Sequence, residues 1–194
     1  MLSKAFLSRV MDIIEKASLE LNLSPLVVSE SKDIAERAIR EEVAFGFRPE
    51  DIAAVSLYIA CRRHKVPLLL REVIAVTRSD KRRALSLYKR VLAYLGVSVS
   101  LPRPEDHLHY IASKLNLEKD VVEYAFRLLD EANKRGFSIG KNPRVLAAAA
   151  IYTASVLVSK PLPIKNIANI SKVTSVAIRL LSKRLFEFAG FKPT

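Results

Sequence analysis

Near the C-terminus, residues 174–189 set Arg179 and Lys183 one helical turn apart, while Ile178, Leu181, Leu185 and Phe188 recur at intervals of three, four and three. On an α-helix those intervals gather the apolar side chains into one buried stripe and turn Ser175, Arg179, Ser182 and Lys183 outward. An outward guanidinium can donate paired hydrogen bonds to the O6 and N7 atoms of guanine, whereas an ammonium meets phosphate and carries no sequence information. Arg179 is therefore the candidate for reading bases. Lys165, Lys172 and Lys183, which bracket the same segment, are candidates for holding phosphate. Arg78, Lys81, Arg82 and Arg83 pack four cations into six residues, and such a density calls for an anion nearby. Lys141 and Arg144 stand at the start of a helix, where free backbone amides also suit a phosphate.

Equipment for catalysis is sparse. The sequence holds no glycine-rich phosphate loop, no Gly-x-Ser-x-Gly elbow and no His-Glu-x-x-His. The carboxylates Glu41-Glu42 and Glu50-Asp51 lack a histidine or nucleophile at matched spacing and are expected to be solvated helix faces. One cysteine and three histidines cannot supply the four ligands of a structural zinc. His107 and His109 are two apart and diverge on a helix. Cys61, inside the apolar run AAVSLYIAC, is expected to behave as a small hydrophobe, and no disulfide can form within the chain. No cofactor, metal or small-molecule substrate is implied. With no run of 18 apolar residues and no signal peptide, the expected location is cytoplasmic, at the nucleoid.

The formal charge of +12 is distributed unevenly along the chain. Residues 1–60 carry a net −3 and residues 61–90 a net +8; residues 99–139 carry −1 and residues 140–194 again +8. Two discrete basic surfaces follow, each suited to a polyanion. The alternation has its origin in a duplication: residues 14–97 align without a gap on residues 108–191 at an offset of 94, with eighteen identities in 84 positions. Among them are Leu21-Asn22-Leu23 with Leu115-Asn116-Leu117, Pro49 with Pro143, Tyr58 with Tyr152, and Lys89-Arg90 with Lys183-Arg184.

The elements that must position these cations are read from each copy as five helices. Ser24-Pro25 and Asn142-Pro143 are helix starts, since the side-chain oxygen caps free amides and proline at the first position has no amide to leave unpaired. Gly46 and Gly140 supply the positive φ at which the preceding segment closes. IAAVSLYIAC and LAAAAIYTASVLV are apolar on nearly every face, so each is a central helix surrounded by the other four, with Tyr58 and Tyr152 in the core. Each copy then ends in a short helix, a tight turn and a longer helix. In the second copy these are residues 164–170, 171–173 and 174–189. This is the pattern of a helix-turn-helix whose second helix enters the major groove.

The residues now resemble a known family. GKNPRVLAAAAIYTASVLVSKPLPIKNIANISKVTSVAIRLLSKRL, residues 140–185, is similar to the second repeat of the core of transcription factor IIB and its archaeal counterpart, transcription factor B. The resemblance implies an all-α fold of two tandem five-helix cyclin-like repeats, residues 1–98 and 99–194. It also implies a non-enzymatic role at promoters. In that family the core binds TATA-binding protein and promoter DNA, with RNA polymerase a further partner, and the second repeat reads the element upstream of the TATA box. The family's base-reading valine and arginine fall on Val176 and Arg179. The threonine of the family's Val-Thr-Ile-Arg is Ala177 here, and the family's Lys-Glu-Ile-Gly-Arg of the first repeat is Arg82-Arg83-Ala84-Leu85-Ser86. The sequence lacks the cysteines of the zinc ribbon that precedes the core in the family, so the chain is expected to be either a fragment holding the core or, as an alternative function, a promoter-binding regulator or competitor. A protein-interaction adaptor, another use of cyclin-like repeats, is the second.

Overall fold

The computed structural model describes residues 4–188 together with Gly190. Chain contacts divide it into two compact units, Met1–Leu101 and Pro102–Thr194, a boundary three residues beyond the expected one. The first holds α1 (Lys4–Glu20), α2 (Pro25–Arg40), α3 (Pro49–Arg63), α4 (Leu70–Thr77) and α5 (Lys81–Leu95). The second holds α6 (Pro104–Leu115), α7 (Lys119–Lys134), α8 (Pro143–Leu157), α9 (Ile164–Ser171) and α10 (Ser175–Phe188). No strand occurs among the described residues. The expected end of the last helix, Ala189, lies outside them.

The duplication is sharper in the backbone than in the side chains. Shifted by 94, the boundaries of α2, α3 and α4 fall on those of α7, α8 and α9 to the residue. Every left-handed residue described also has a left-handed counterpart at that offset: Asn22 with Asn116, Glu42 with Gly136, Gly46 with Gly140, Lys65 with Ser159, Arg78 with Lys172, and Gly96 with Gly190. A non-glycine residue at positive φ costs about 1–2 kcal/mol in Cβ–carbonyl crowding. The six pairs therefore mark turns that the fold requires. Gly46 and Gly140 have φ of +83° and +71°, but they sit in the loops leading into α3 and α8, six residues after α2 and α7 end, and not at a helix terminus.

In each unit one helix is central. α3 packs against α1, α2, α4 and α5, and α8 against α6, α7, α9 and α10. Both are buried nearly all round, and the alanine runs Ala53-Ala54 and Ala147–Ala150 are wholly inaccessible. Small side chains here let four neighbours approach one axis, which a leucine-rich helix would hold apart. Tyr58 and Tyr152 are half-buried at the edge of this packing, Tyr58 against the Tyr88 ring at 5.5 Å. Burial pushes the Cys61 thiol up to about 12, leaving it without the thiolate that reactivity needs. His107 is buried while His109 is exposed and lies against Phe126, diverging as their spacing requires.

Prolines stand at the first turn of α2, α3, α6 and α8. The two expected caps behave differently: Asn142 Oδ1 accepts the Arg144 amide at 2.9 Å, whereas the Ser24 side chain makes no capping bond. Proline alone fixes the start of α2.

Candidate nucleic-acid interface

The two helix-turn-helix units use the same three local devices. A hydroxyl near the end of the short helix bonds back one turn, Thr77 Oγ1 to the Val73 carbonyl at 2.9 Å and Ser171 Oγ to that of Ile167 at 2.5 Å. A cation then takes the left-handed turn position, Arg78 at φ +57° and Lys172 at +53°. An oxygen finally caps the long helix: Asp80 Oδ1 accepts from the Arg83 amide at 2.9 Å, and Thr174 Oγ1 from the Ala177 amide at 3.2 Å. Equivalent positions do equivalent work, so both long helices leave their turns in the same way.

Their outer faces differ. On α10 the buried line is Ile178, Ser182 and Leu185. At about 100° per residue, Val176, Leu180 and Lys183 fall opposite that line, with Arg179 and Arg184 to either side. Val176 is 63% exposed and Leu180 67%; Arg179, Lys183, Lys165 and Lys172 are all exposed. Arg179, Lys165, Lys172 and Lys183 have no ion-pair partner among the described residues, so their charge is available to a ligand. One expectation fails here. Ser182 does not face outward: it is 1% exposed and its hydroxyl donates to the Ala149 carbonyl at 3.3 Å. A small hydroxyl lets α10 seat closely on α8, and the buried line takes in Ser182 while Leu181 is only partly covered.

Two cations of the second repeat are engaged within the chain. Arg144 is 8% exposed and already partnered, and Lys141 Nζ donates to the Phe137 carbonyl and lies 4.0 Å from that ring's centroid. Both thus have partners within the chain, which a phosphate would have to displace.

In the first repeat Arg78, Lys81 and Arg82 are exposed, but Arg83 belongs to the fold. Its Nε donates to Asp51 Oδ2 at 2.7 Å, its Nη2 to the Gly46 carbonyl at 2.7 Å, and its guanidinium lies 5.4 Å from the Phe47 ring centroid. Asp51 is the hub of this arrangement. Its side chain is wholly buried, which corrects the expectation of a solvated carboxylate. It accepts from Ser79 Oγ at 2.8 Å, from Arg48 Nη2 at 3.2 Å and from the Arg48 amide at 3.2 Å. Desolvation pushes the carboxyl upward, but the bonds from Arg48, Arg83 and Ser79 outweigh it and hold the group at about 2. The hub ties the turn and first coil of α5 to the start of α3. In the second repeat the positions of Asp51, Arg83 and Ser79 are Val145, Ala177 and Val173, and Val145 and Ala177 line a shallow apolar cleft with Leu180 and Leu181. Where repeat one has an ionic latch, repeat two has an open cleft. The sequence signal was the offset alignment itself, in which an acid and its arginine change together into valine and alanine.

Among the described residues no group of three or more His, Cys, Asp or Glu side chains is arranged to hold a metal, and no helix is long and apolar enough to cross a membrane. What the surface offers is two cationic helix-turn-helix faces.

Comparison with known proteins agrees with this architecture. The family model described as the transcription factor TFIIB repeat matches twice, over residues 4–91 and 97–188. The transcription initiation factor IIB of Saccharolobus shibatae is 34% identical over 179 residues, covering 92% of this chain and 58% of that protein. The proteins of the same name from Pyrobaculum islandicum and Pyrococcus furiosus are 34% and 32% identical, covering 85% and 90% of this chain and 50% and 59% of their own lengths. The chain thus spans a little over half the length of these relatives, whose name is that of an initiation factor and not of an enzyme.

Proposed function

From the premise that this chain belongs to the TFIIB repeat family, we propose that it acts in transcription initiation as a promoter-binding core. In this reading it joins TATA-binding protein to DNA, places α10 in the major groove upstream of the TATA box, and makes RNA polymerase a further partner. The observation that carries the reading is α10 itself. It starts from a capped turn, is anchored by Ile178 and Leu185, and presents Val176 and Arg179 to solvent beside the unpaired ammonium groups of Lys165, Lys172 and Lys183.

The division of labour follows from the two faces. Arg179 suits guanine and Val176 an apolar base edge, whereas Arg78, Lys81 and Arg82 suit phosphate. In repeat one, Arg82 occupies the position of Val176 and Leu85 that of Arg179, so that helix offers charge without the paired donors of an outward arginine at the reading position. The test is a footprint on TATA-containing duplex DNA with and without TATA-binding protein. Protection immediately upstream of the TATA box, seen only with that partner, is the expected result. Protection independent of the partner, or none at all, would overturn the reading.

A further inference from the structure

Leu180 is a large aliphatic side chain left two-thirds exposed on a helix whose Ile178 and Leu185 are buried. It stands one turn after Val176, also largely exposed, and the pair forms an apolar strip directly opposite the line that packs on α8. Full burial of such side chains is worth about 1.5–3 kcal/mol each, so leaving two on one face is unfavourable unless a partner covers them. The fold does not impose them. At the equivalent positions of α5, reached by the same turn and cap, stand Arg82 and Ser86, both exposed.

The surroundings indicate what covers the strip. Arg179 and Lys183 flank it on one side and Arg184 on the other, all exposed, so the covering surface is anionic at its edges and apolar at its centre. Duplex DNA has that composition in one place: the major groove, where phosphates line the rims and the C5 methyl of thymine is the apolar group on the floor. We propose that Leu180, together with Val176, reads thymine methyl groups in the DNA that α10 enters, making Leu180 a specificity-determining residue beside Arg179. The proposal rests on the promoter-binding reading above. It adds that the element includes thymine next to the base pair that Arg179 contacts, on either strand.

Uracil tests this cleanly, because it differs from thymine only by the methyl. The full chain with TATA-binding protein is titrated against promoter duplexes in which upstream thymines are replaced one at a time by deoxyuridine, using wild type, Leu180→Ala and Leu180→Ser, the last being the residue of the first repeat. Loss of a contacted methyl should weaken wild-type binding roughly three- to fivefold at one or two positions. At the position that Leu180 contacts both variants should bind thymine and uracil duplexes alike, while any preference owed to Val176 stays. Because Leu180 is outside the core, circular dichroism should show both variants folded. If uracil is neutral everywhere while upstream protection persists, methyl reading is wrong and promoter binding stands. If the variants keep the wild-type preference at every position, Leu180 is not the reader and the proposal is wrong. Absence of any upstream protection would overturn both readings together.

Discussion

Consider replacing Asp51 by valine, the residue that repeat two carries at the same position. Asp51 accepts hydrogen bonds from Ser79, Arg48 and Arg83 while wholly buried. Valine removes all of them in one step. Breaking a buried ion pair by deleting one partner usually costs about 3–5 kcal/mol, because the other charge is stranded. Here the side chains of Arg48 and Arg83 are 51% and 40% exposed, so both can turn toward water and part of that penalty disappears. What remains is the lost bonding of Ser79 Oγ and the Arg48 amide, about 1 kcal/mol each, and the residual desolvation of Arg83. Asp51→Val should therefore cost about 2–3 kcal/mol. Arg83→Ala alone should cost about 1–2 kcal/mol, since it strips the carboxylate of its shortest charged partner. Combined, they recreate the Val145–Ala177 arrangement of repeat two, and the double variant should be less destabilised than the sum of the singles by about 1–2 kcal/mol. Urea unfolding followed by circular dichroism at pH 7 measures all four corners of the cycle. Additive losses would refute the latch, as would an Asp51→Val loss below about 0.5 kcal/mol.

The same carboxylate gives a pH dependence. Its value falls from 3.8 to about 2 on folding, so its contribution is fully present above about pH 4 and is lost as pH falls toward 2; about 2 kcal/mol should vanish in that window, and Asp51→Asn should not show it. Arg82→Ala should lower the slope of log K against log salt by about 0.9, the signature of one lost phosphate contact, while Arg83→Ala should leave the slope unchanged; equal slopes for both variants would restore Arg83 to the DNA surface. Replacing Arg179 with alanine should reduce discrimination among upstream sequences by about 1–3 kcal/mol, and an equal loss on every sequence would make it a phosphate contact. Glu42, at φ +57°, should accept glycine with a gain of about 0.5–1 kcal/mol, because its counterpart Gly136 already occupies the same backbone conformation; a lower melting temperature for Glu42→Gly would contradict this.

Much of the architecture was legible because the residues that dictate it act locally. Proline at a helix start, glycine at positive φ and an all-apolar central helix restrict the chain whatever surrounds them; the first and last read correctly, and the glycines read correctly in φ but not in their place at a helix end. The long helices of the helix-turn-helix units were legible through their stripes, though with Ser182 on the wrong side. Periodicity ranks residues by polarity, and a serine small enough to let two helices touch has the polarity of a surface residue. The internal partners of Arg144, Lys141 and Arg83 were hidden for a related reason: a cation's partner is set by which segment lies across from it, and spacing along one helix holds no such information. Asp51 looked like an ordinary first-turn acid because its arginine lies thirty-two positions away. Only the comparison of the two repeats placed those residues in register.

The ionic latch of repeat one, absent from repeat two, also gives the repeats different thermal characters. Hydration of charged groups becomes less favourable on heating, so the desolvation cost of the Asp51 cluster shrinks as temperature rises. The apolar packing of Ile178 and Leu185, which seats α10, depends on a driving force that weakens on cooling. Heat therefore favours the hold on α5, and cold loosens the hold on α10. One backbone, copied once, thus carries its two exposed helices on different fasteners: α5 adds to its apolar packing an ionic tie of opposite temperature coefficient, which α10 lacks.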